Sequence, residues 1–292
     1  MGSGEDLVIV GAGAVGCEFA EVYSALGSNI TIVEMLDQIV PGEDTELARR
    51  LEAALKRKGI KVLTGTRVAG IDRKGERIAV RLDGADDIET DRVLVGVGRK
   101  PNIEGLGLEA VGVELEGRAI KVDAHMRTSV PGIFAVGDVT GKFMLAHVAL
   151  AQGVVAGRNA GGADAVMEYE AIPRSVYSDP ELAAVGLTES QARDRGIDFS
   201  VHKVRLGQIG RALTMGETFG LAKLVYEIGT GKVLGFHALG PHASELLAEV
   251  TLAIRKGLKV ADIAGTIHAH PTLSEIIWEC ADGAMGDMNR EK

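Results

Sequence analysis

DLVIVGAGAVGCEFAEVYSALGSNITIVEM, Asp6 to Met35, reads as a short apolar strand, a glycine turn, a helical stretch and a second strand ending at Glu34. That is a βαβ unit, and it predicts an α/β fold that opens on a parallel sheet. The turn contains Gly11, Gly13 and Gly16 in the order G-x-G-x-x-G. The three glycines serve different physical ends. Gly11 permits the tight turn, Gly13 lets phosphates reach the backbone, and Gly16 lets helix and strand pack closely. A helix that opens there offers free N–H groups and its dipole to a pyrophosphate. Glu34 follows Gly16 by eighteen positions, where a carboxylate can accept from both hydroxyls of a ribose. The same carboxylate would repel a 2′-phosphate, so NAD is expected rather than NADP. The competing reading is a glycine turn in an α/β sheet that binds no nucleotide.

Outward from that unit, EDTELARRLEAALKRKG (residues 43–59) places Leu47, Leu51 and Leu55 on one face. It pairs Glu46 with Arg50 and Glu52 with Lys56 at i,i+4, and Gly59 should end the helix. Lys61 to Val97 reads as strands, and a glycine-rich stretch around Arg99 marks a boundary. GIFAVGDV (132–139) is expected as a strand and Met144 to Ala160 as a small-residue helix. After a second shift at NAGGADA (159–165), SVHKVRL, GLAKLVYE and KVLGFHALG predict three antiparallel strands. HASELLAEVTLAIRKG (242–257) then predicts a helix with Leu246, Val250 and Ile254 on one face. The expected division is 1–99, 100–168 and 169–292, the last an α+β unit.

At 292 residues and 46% hydrophobic, the chain can build two real cores. Its formal charge of −9, without a basic run, argues against nucleic acid as a partner. No apolar stretch reaches a membrane span, and the acids near the start are wrong for a signal peptide. MGSG reads as an expression leader, and Asp6 breaks the myristoylation pattern at Gly2. Cys17 and Cys280 are too far apart in sequence for a disulfide framework or a paired metal motif. A reducing, cytoplasmic setting is expected.

HAHPTLSE, His268 to Glu275, concentrates two histidines and a carboxylate. Pro271 suits the first position of a helix, which would put His270 just before it and bring Glu275 round by a little over one turn. A carboxylate on one ring nitrogen fixes the tautomer and leaves the other as a general base, suited to a thiol of ordinary pKa about 8.5. A solvated loop histidine is the plain alternative. A metal site from His268, His270 and Glu275 lacks a further ligand cluster.

Together the βαβ stretch, GVGRKPN (96–102), GIFAVGDV, MLAHVALAQG (144–153) and HAHPTLSE resemble the pyridine nucleotide-disulfide oxidoreductases, in particular the lipoamide-oxidising members. The resemblance implies a Rossmann-type NAD-binding domain, a central flavin-contacting region and an α+β dimerisation domain. Gly11, Gly13, Gly16, Glu34, Val68 and Gly98 would line the NAD site. Asp138 would bind the ribityl and phosphate side of FAD, and Met144, Leu145, Ala146 and His147 would run past the flavin ring. His270 would deprotonate dihydrolipoamide with Glu275 orienting it, serving the disulfide of the other subunit in a homodimer. The parent enzyme would work with lipoyl-bearing 2-oxo acid dehydrogenase complexes. An NADH oxidase or mercuric reductase is the rival within the family. Val68 can equally be a strand core residue, His147 a helix-end residue and Cys17 helix packing. The family's first, FAD-binding glycine fingerprint and its closely spaced redox cysteine pair have no counterpart in these residues. The expectation is therefore an N-terminally truncated chain with FAD weak or absent and no turnover alone.

Overall fold

The computed structural model describes residues 4–290, so Gly2 and most of MGSG lie outside it. Contacts divide the chain into two compact units: residues up to Val97 together with those from Pro173 onward, and Gly98–Ile172.

The first unit begins with β1 (Asp6–Val10), α1 (Ala14–Ala25) and β2 (Asn29–Val33), the expected βαβ. Next come α2 (Thr45–Arg57), β3 (Lys61–Leu63), β4 (Val68–Lys74), β5 (Arg77–Leu82), β6 (Ile88–Thr90) and β7 (Arg92–Val95). The parallel sheet has the order β3-β2-β1-β7, while β4-β5-β6 form a separate antiparallel sheet. α2 buries Leu47, Leu51 and Leu55 and makes both expected ion pairs on its flank. Asp44 caps it, accepting from the Glu46 and Leu47 amides at 3.1 and 3.2 Å. Gly59, at φ +86°, follows its last turn.

The second unit contains α3 (Leu108–Val111), the two-stranded β8 (Leu115–Glu116) and β9 (Ala119–Ile120), and α4 (Ala146–Ala160) around a small core of Ile120, Val122, Met126 and Ala135. GIFAVGDV is not the expected strand. Phe134 makes a single bridge to Arg127, and Gly137–Thr140 closes into a 3₁₀ turn. A strand needs a ladder, and among the described residues this segment has one rung.

The chain then adds β10 (Arg174–Val176), β11 (Glu181–Gly186), α5 (Glu189–Asp194), β12 (Phe199–Arg205), α6 (Gly210–Met215), β13 (Leu221–Glu227), β14 (Val233–Gly240), α7 (Leu247–Lys256), α8 (Val260–Ala264) and α9 (Glu275–Arg290). The antiparallel sheet has five strands, not three, in the order β10-β11-β14-β13-β12. The turn before α7 is 3₁₀, which rotates Leu247 rather than Leu246 into the core with Val250 and Ile254. Val176, Leu182, Leu221 and Leu239 of this sheet join Leu7, Ile9, Ile32 and Leu51 in one apolar cluster. Arg174–Glu43 at 2.8 Å and Lys58–Asp179 at 2.7 Å add ion pairs between the two parts. Among the described residues no helix is long and apolar enough to cross a membrane.

Candidate functional site

The glycine turn has the geometry its sequence calls for. Gly11 has φ +99°, and a Cβ there would lie 2.7 Å from the Gly96 carbonyl oxygen. A Cβ on Gly16 would collide with the carbonyl oxygen of Gly11, whereas one on Gly13 would meet nothing within 4 Å. Gly11 and Gly16 are therefore required by packing, and Gly13 borders open space. α1 starts after Gly13 with no side-chain cap and no acid in its first turn, so its amino end is available to an external anion. Gly96, which donates to Val10 at 2.8 Å, belongs to this turn although the sequence reading passed over it in favour of Gly98. Its signal was the VGVG that closes β7.

Glu34 is 7% exposed. Its Oε2 accepts from the Ala12 amide at 2.7 Å and its Oε1 from the Leu36 amide at 2.9 Å. The carboxylate thus pins the glycine turn as well as marking the end of β2, and each oxygen retains a lone pair for a hydroxyl. Met35 and Leu36 beside it are exposed. The residues present fit a dinucleotide: a bare helix end, an open glycine and a fixed carboxylate. Val68 lies on β4 opposite Leu82, packed against the cluster of Val8, Val33, Val80 and Leu82. Gly98 has φ +115°, opens the smaller unit, and has nothing within 4 Å of an added Cβ.

In the smaller unit, Asp138 is exposed in the 3₁₀ turn. The turn is fixed by fully buried Gln152, whose Oε1 accepts from the Gly137 amide at 2.6 Å and whose Nε2 donates to the Tyr169 hydroxyl at 2.9 Å. Sequence reading missed Gln152, a lone amide in a helix of small residues. Met144 accepts at its carbonyl from Arg99 Nη2 at 2.8 Å. Met144 and Leu145 are half-buried, and Ala146 and His147 are exposed in the uncapped first turn of α4. An exposed carboxylate and a helix start without a side-chain cap are groups that could hold a flavin nucleotide.

HAHPTLSE brings His270 and Glu275 together. His270 Nδ1 lies 2.8 Å from Glu275 Oε1, and Glu275 Oε2 accepts from the Thr272 amide at 2.8 Å. The Thr272 amide and then the His270 ring hold the Glu275 carboxyl below the usual carboxylate range. The His270 side chain is 75% exposed. The helix does not begin at Pro271: α9 starts at Glu275, and 271–274 form a turn tied by Thr272 Oγ1 to the Ala269 carbonyl at 2.7 Å. Contact is made across that turn, not along a helix face. His268, missed as a structural residue, has Nε2 3.0 Å from Glu249 Oε2 on α7 and Nδ1 3.0 Å from the Thr266 carbonyl. It fastens the loop to α7. Among the described residues no group of three or more His, Cys, Asp or Glu side chains could hold a metal.

Cys17 and Cys280 are both buried. Burial pushes the Cys17 thiol up to about 12 and the Cys280 thiol higher still. Neither is expected to react with Ellman's reagent in the folded chain, and both should react in denaturant. A thiol titrating rapidly under native conditions would contradict this burial.

The family described as "Pyridine nucleotide-disulphide oxidoreductase" matches residues 2–153, and its dimerisation domain matches residues 172–281. The chain belongs to this family. It is 44% identical over 282 residues to a dihydrolipoyl dehydrogenase of Thermus scotoductus, covering 94% of this chain and 61% of that protein. It is also 44% identical over 290 residues to the Mycobacterium leprae dihydrolipoyl dehydrogenase, covering 97% and 62%. Among solved structures, LpdA from Mycobacterium tuberculosis superposes with a TM-score of 0.89 at 32% identity, covering 96% of this chain and 62% of that one. The HOCl-induced flavoprotein disulfide reductase RclA of Escherichia coli gives 0.88 at 29%, covering 95% and 64%. The chain therefore spans under two thirds of the length of these relatives.

Proposed function

We propose that the chain is the NAD-binding and dimerisation portion of a dihydrolipoyl dehydrogenase, with residues 1–99 holding the nucleotide, 100–168 contacting flavin and 169–292 forming the subunit interface. The observation that carries this reading is the His270–Glu275 pair: a carboxylate on Nδ1 fixes the tautomer in which Nε2 can accept a proton. In the assembled enzyme that proton comes from a thiol of dihydrolipoamide, and Glu275 stabilises the imidazolium that results. In this reading Gly11, Gly13, Gly16, Glu34, Val68 and Gly98 would line the NAD site. Asp138 and Met144 to His147 contact FAD, which when bound supplies the electron relay from disulfide to nicotinamide. The enzyme would be a homodimer serving lipoyl-bearing 2-oxo acid dehydrogenase complexes. With two buried thiols and no exposed cysteine pair, these 292 residues alone act as a binding and dimerisation module without turnover.

Calorimetry tests the nucleotide half of the proposal. NADH should bind saturably and NADPH at least tenfold more weakly. Glu34→Ala should cost NADH about 1–3 kcal/mol, through loss of a charge-assisted hydrogen bond and of the fixed turn. Equal affinity for both nucleotides would remove Glu34 from the site. Light scattering tests the other half: a dimer is expected at micromolar concentration, and a clean monomer would contradict interface formation by this portion.

A further inference from the structure

A cleft of about 580 Å³ is lined by residues of α2 and α5 together with Phe219 and Lys223, well apart in sequence from the glycine turn and from HAHPTLSE. Its charges are arranged unequally. The carboxylates on its walls are already engaged by cations: Asp44 and Glu189 by Lys223, Glu46 by Lys203 and Arg50, and Glu43 by Arg174. Arg49, Arg57 and Arg193 also line the cleft and, among the described residues, have no carboxylate within ion-pair distance. Arg57 and Arg193 are held over aromatic rings instead, at 4.8 Å from the Phe219 centroid and 5.9 Å from that of Phe199. Such stacking restrains a guanidinium while leaving its N–H groups free to donate. Arg50 borders both this cleft and a neighbouring one of about 410 Å³.

We propose that this cleft binds a small polyanion of the polyphosphate type, its phosphate oxygens accepting from Arg49, Arg57 and Arg193. Planar guanidinium forks match the paired oxygens of phosphate, and three of them on one concave surface suit an anion with more than one phosphate group. The volume is in the range of small-molecule sites and exceeds what one inorganic phosphate fills. α2 comes from the nucleotide-binding half and α5 from the C-terminal half, so a bound anion would bridge the two and raise the melting temperature.

The test is titration of the whole chain with inorganic tripolyphosphate at constant ionic strength. Saturable binding is expected, and Arg49→Gln and Arg193→Gln should each weaken it by about tenfold, the loss of one charge-assisted hydrogen bond. Arg118→Gln, an exposed site in the other unit, should leave it unchanged, and unaltered circular dichroism will show that the exposed Arg49 and Arg193 variants are folded. Saturating NAD should not displace tripolyphosphate. Absence of saturable binding, or binding that NAD displaces and the two arginine variants do not weaken, would overturn the proposal. The latter result would place the anion at the glycine turn and leave the nucleotide reading intact.

Discussion

Lys223→Met is expected to destabilise the chain by about 3–5 kcal/mol, the usual cost of removing one partner from a buried ion pair. Lys223 is 2% exposed on β13, with Nζ 2.7 Å from Asp44 Oδ2, in contact with Glu189 and 3.6 Å from Glu46. Methionine fills similar volume, so the loss would come from charge and not from a cavity. Asp44 would be left as a buried carboxylate while still capping α2. Burial alone would lower the Lys223 pKa, but the hydrogen bonds to Asp44 and Glu189 outweigh it, and the folded value lies above the ordinary 10.5. Its contribution is therefore whole below pH 10.5 and is lost only as pH rises through that higher folded value. Urea unfolding at neutral pH measures the effect. Adding Asp44→Asn should recover part of the loss, because the orphaned charge is removed. A cost under about 1 kcal/mol would mean that water reaches the cluster and compensates it.

Gly16→Ala should be nearly as costly, about 3 kcal/mol, and should abolish measurable NADH binding. The added Cβ meets the carbonyl oxygen of Gly11, and the Ile9 side chain lies 3.5 Å away. A backbone oxygen cannot swing aside, so α1 must lift from β1 and distort the turn. Gly13→Ala provides the contrast. Its Cβ meets nothing within 4 Å, so stability should hardly change while nucleotide binding weakens. Equal melting temperatures for wild type and Gly16→Ala would disprove the close approach of helix and strand.

The parts legible in the sequence were those with strong periodicity or strict glycine placement. The βαβ unit and the leucine face of α2 announced themselves through glycine placement and a spacing of 3.6, and β12 to β14 through runs of strand-favouring residues bounded by turn residues. β10 and β6, three residues each, are too short to show a period. β11, ELAAVG, has two alanines and a single β-branched residue, so its composition does not favour a strand. GIFAVGDV misled because apolar composition suggests a strand whether or not a pairing edge exists. Within the site, the approach of His270 and Glu275 was legible because both lie in one short segment. Lys223 and Asp44 are 179 positions apart, and a lysine inside GLAKLVYE gives no hint of the buried carboxylate it meets. Glu34 was found, but its grip on the Ala12 amide was not, since backbone partners leave no trace in side-chain patterns. Gln152 and Glu249 were passed over for a similar reason: each has meaning only through what the fold brings to it.

The most direct test of the central claim, a family base present without a redox pair, is an assay of NAD reduction by dihydrolipoamide with the purified 292 residues and added FAD. Cys17 and Cys280 are separate free thiols, already reduced and not joined in a disulfide that could accept the first two electrons, so no NADH should form, although NADH itself should bind. Sustained formation of NADH by this chain alone, abolished by His270→Gln, would show that another redox group accepts those electrons and would contradict the claim.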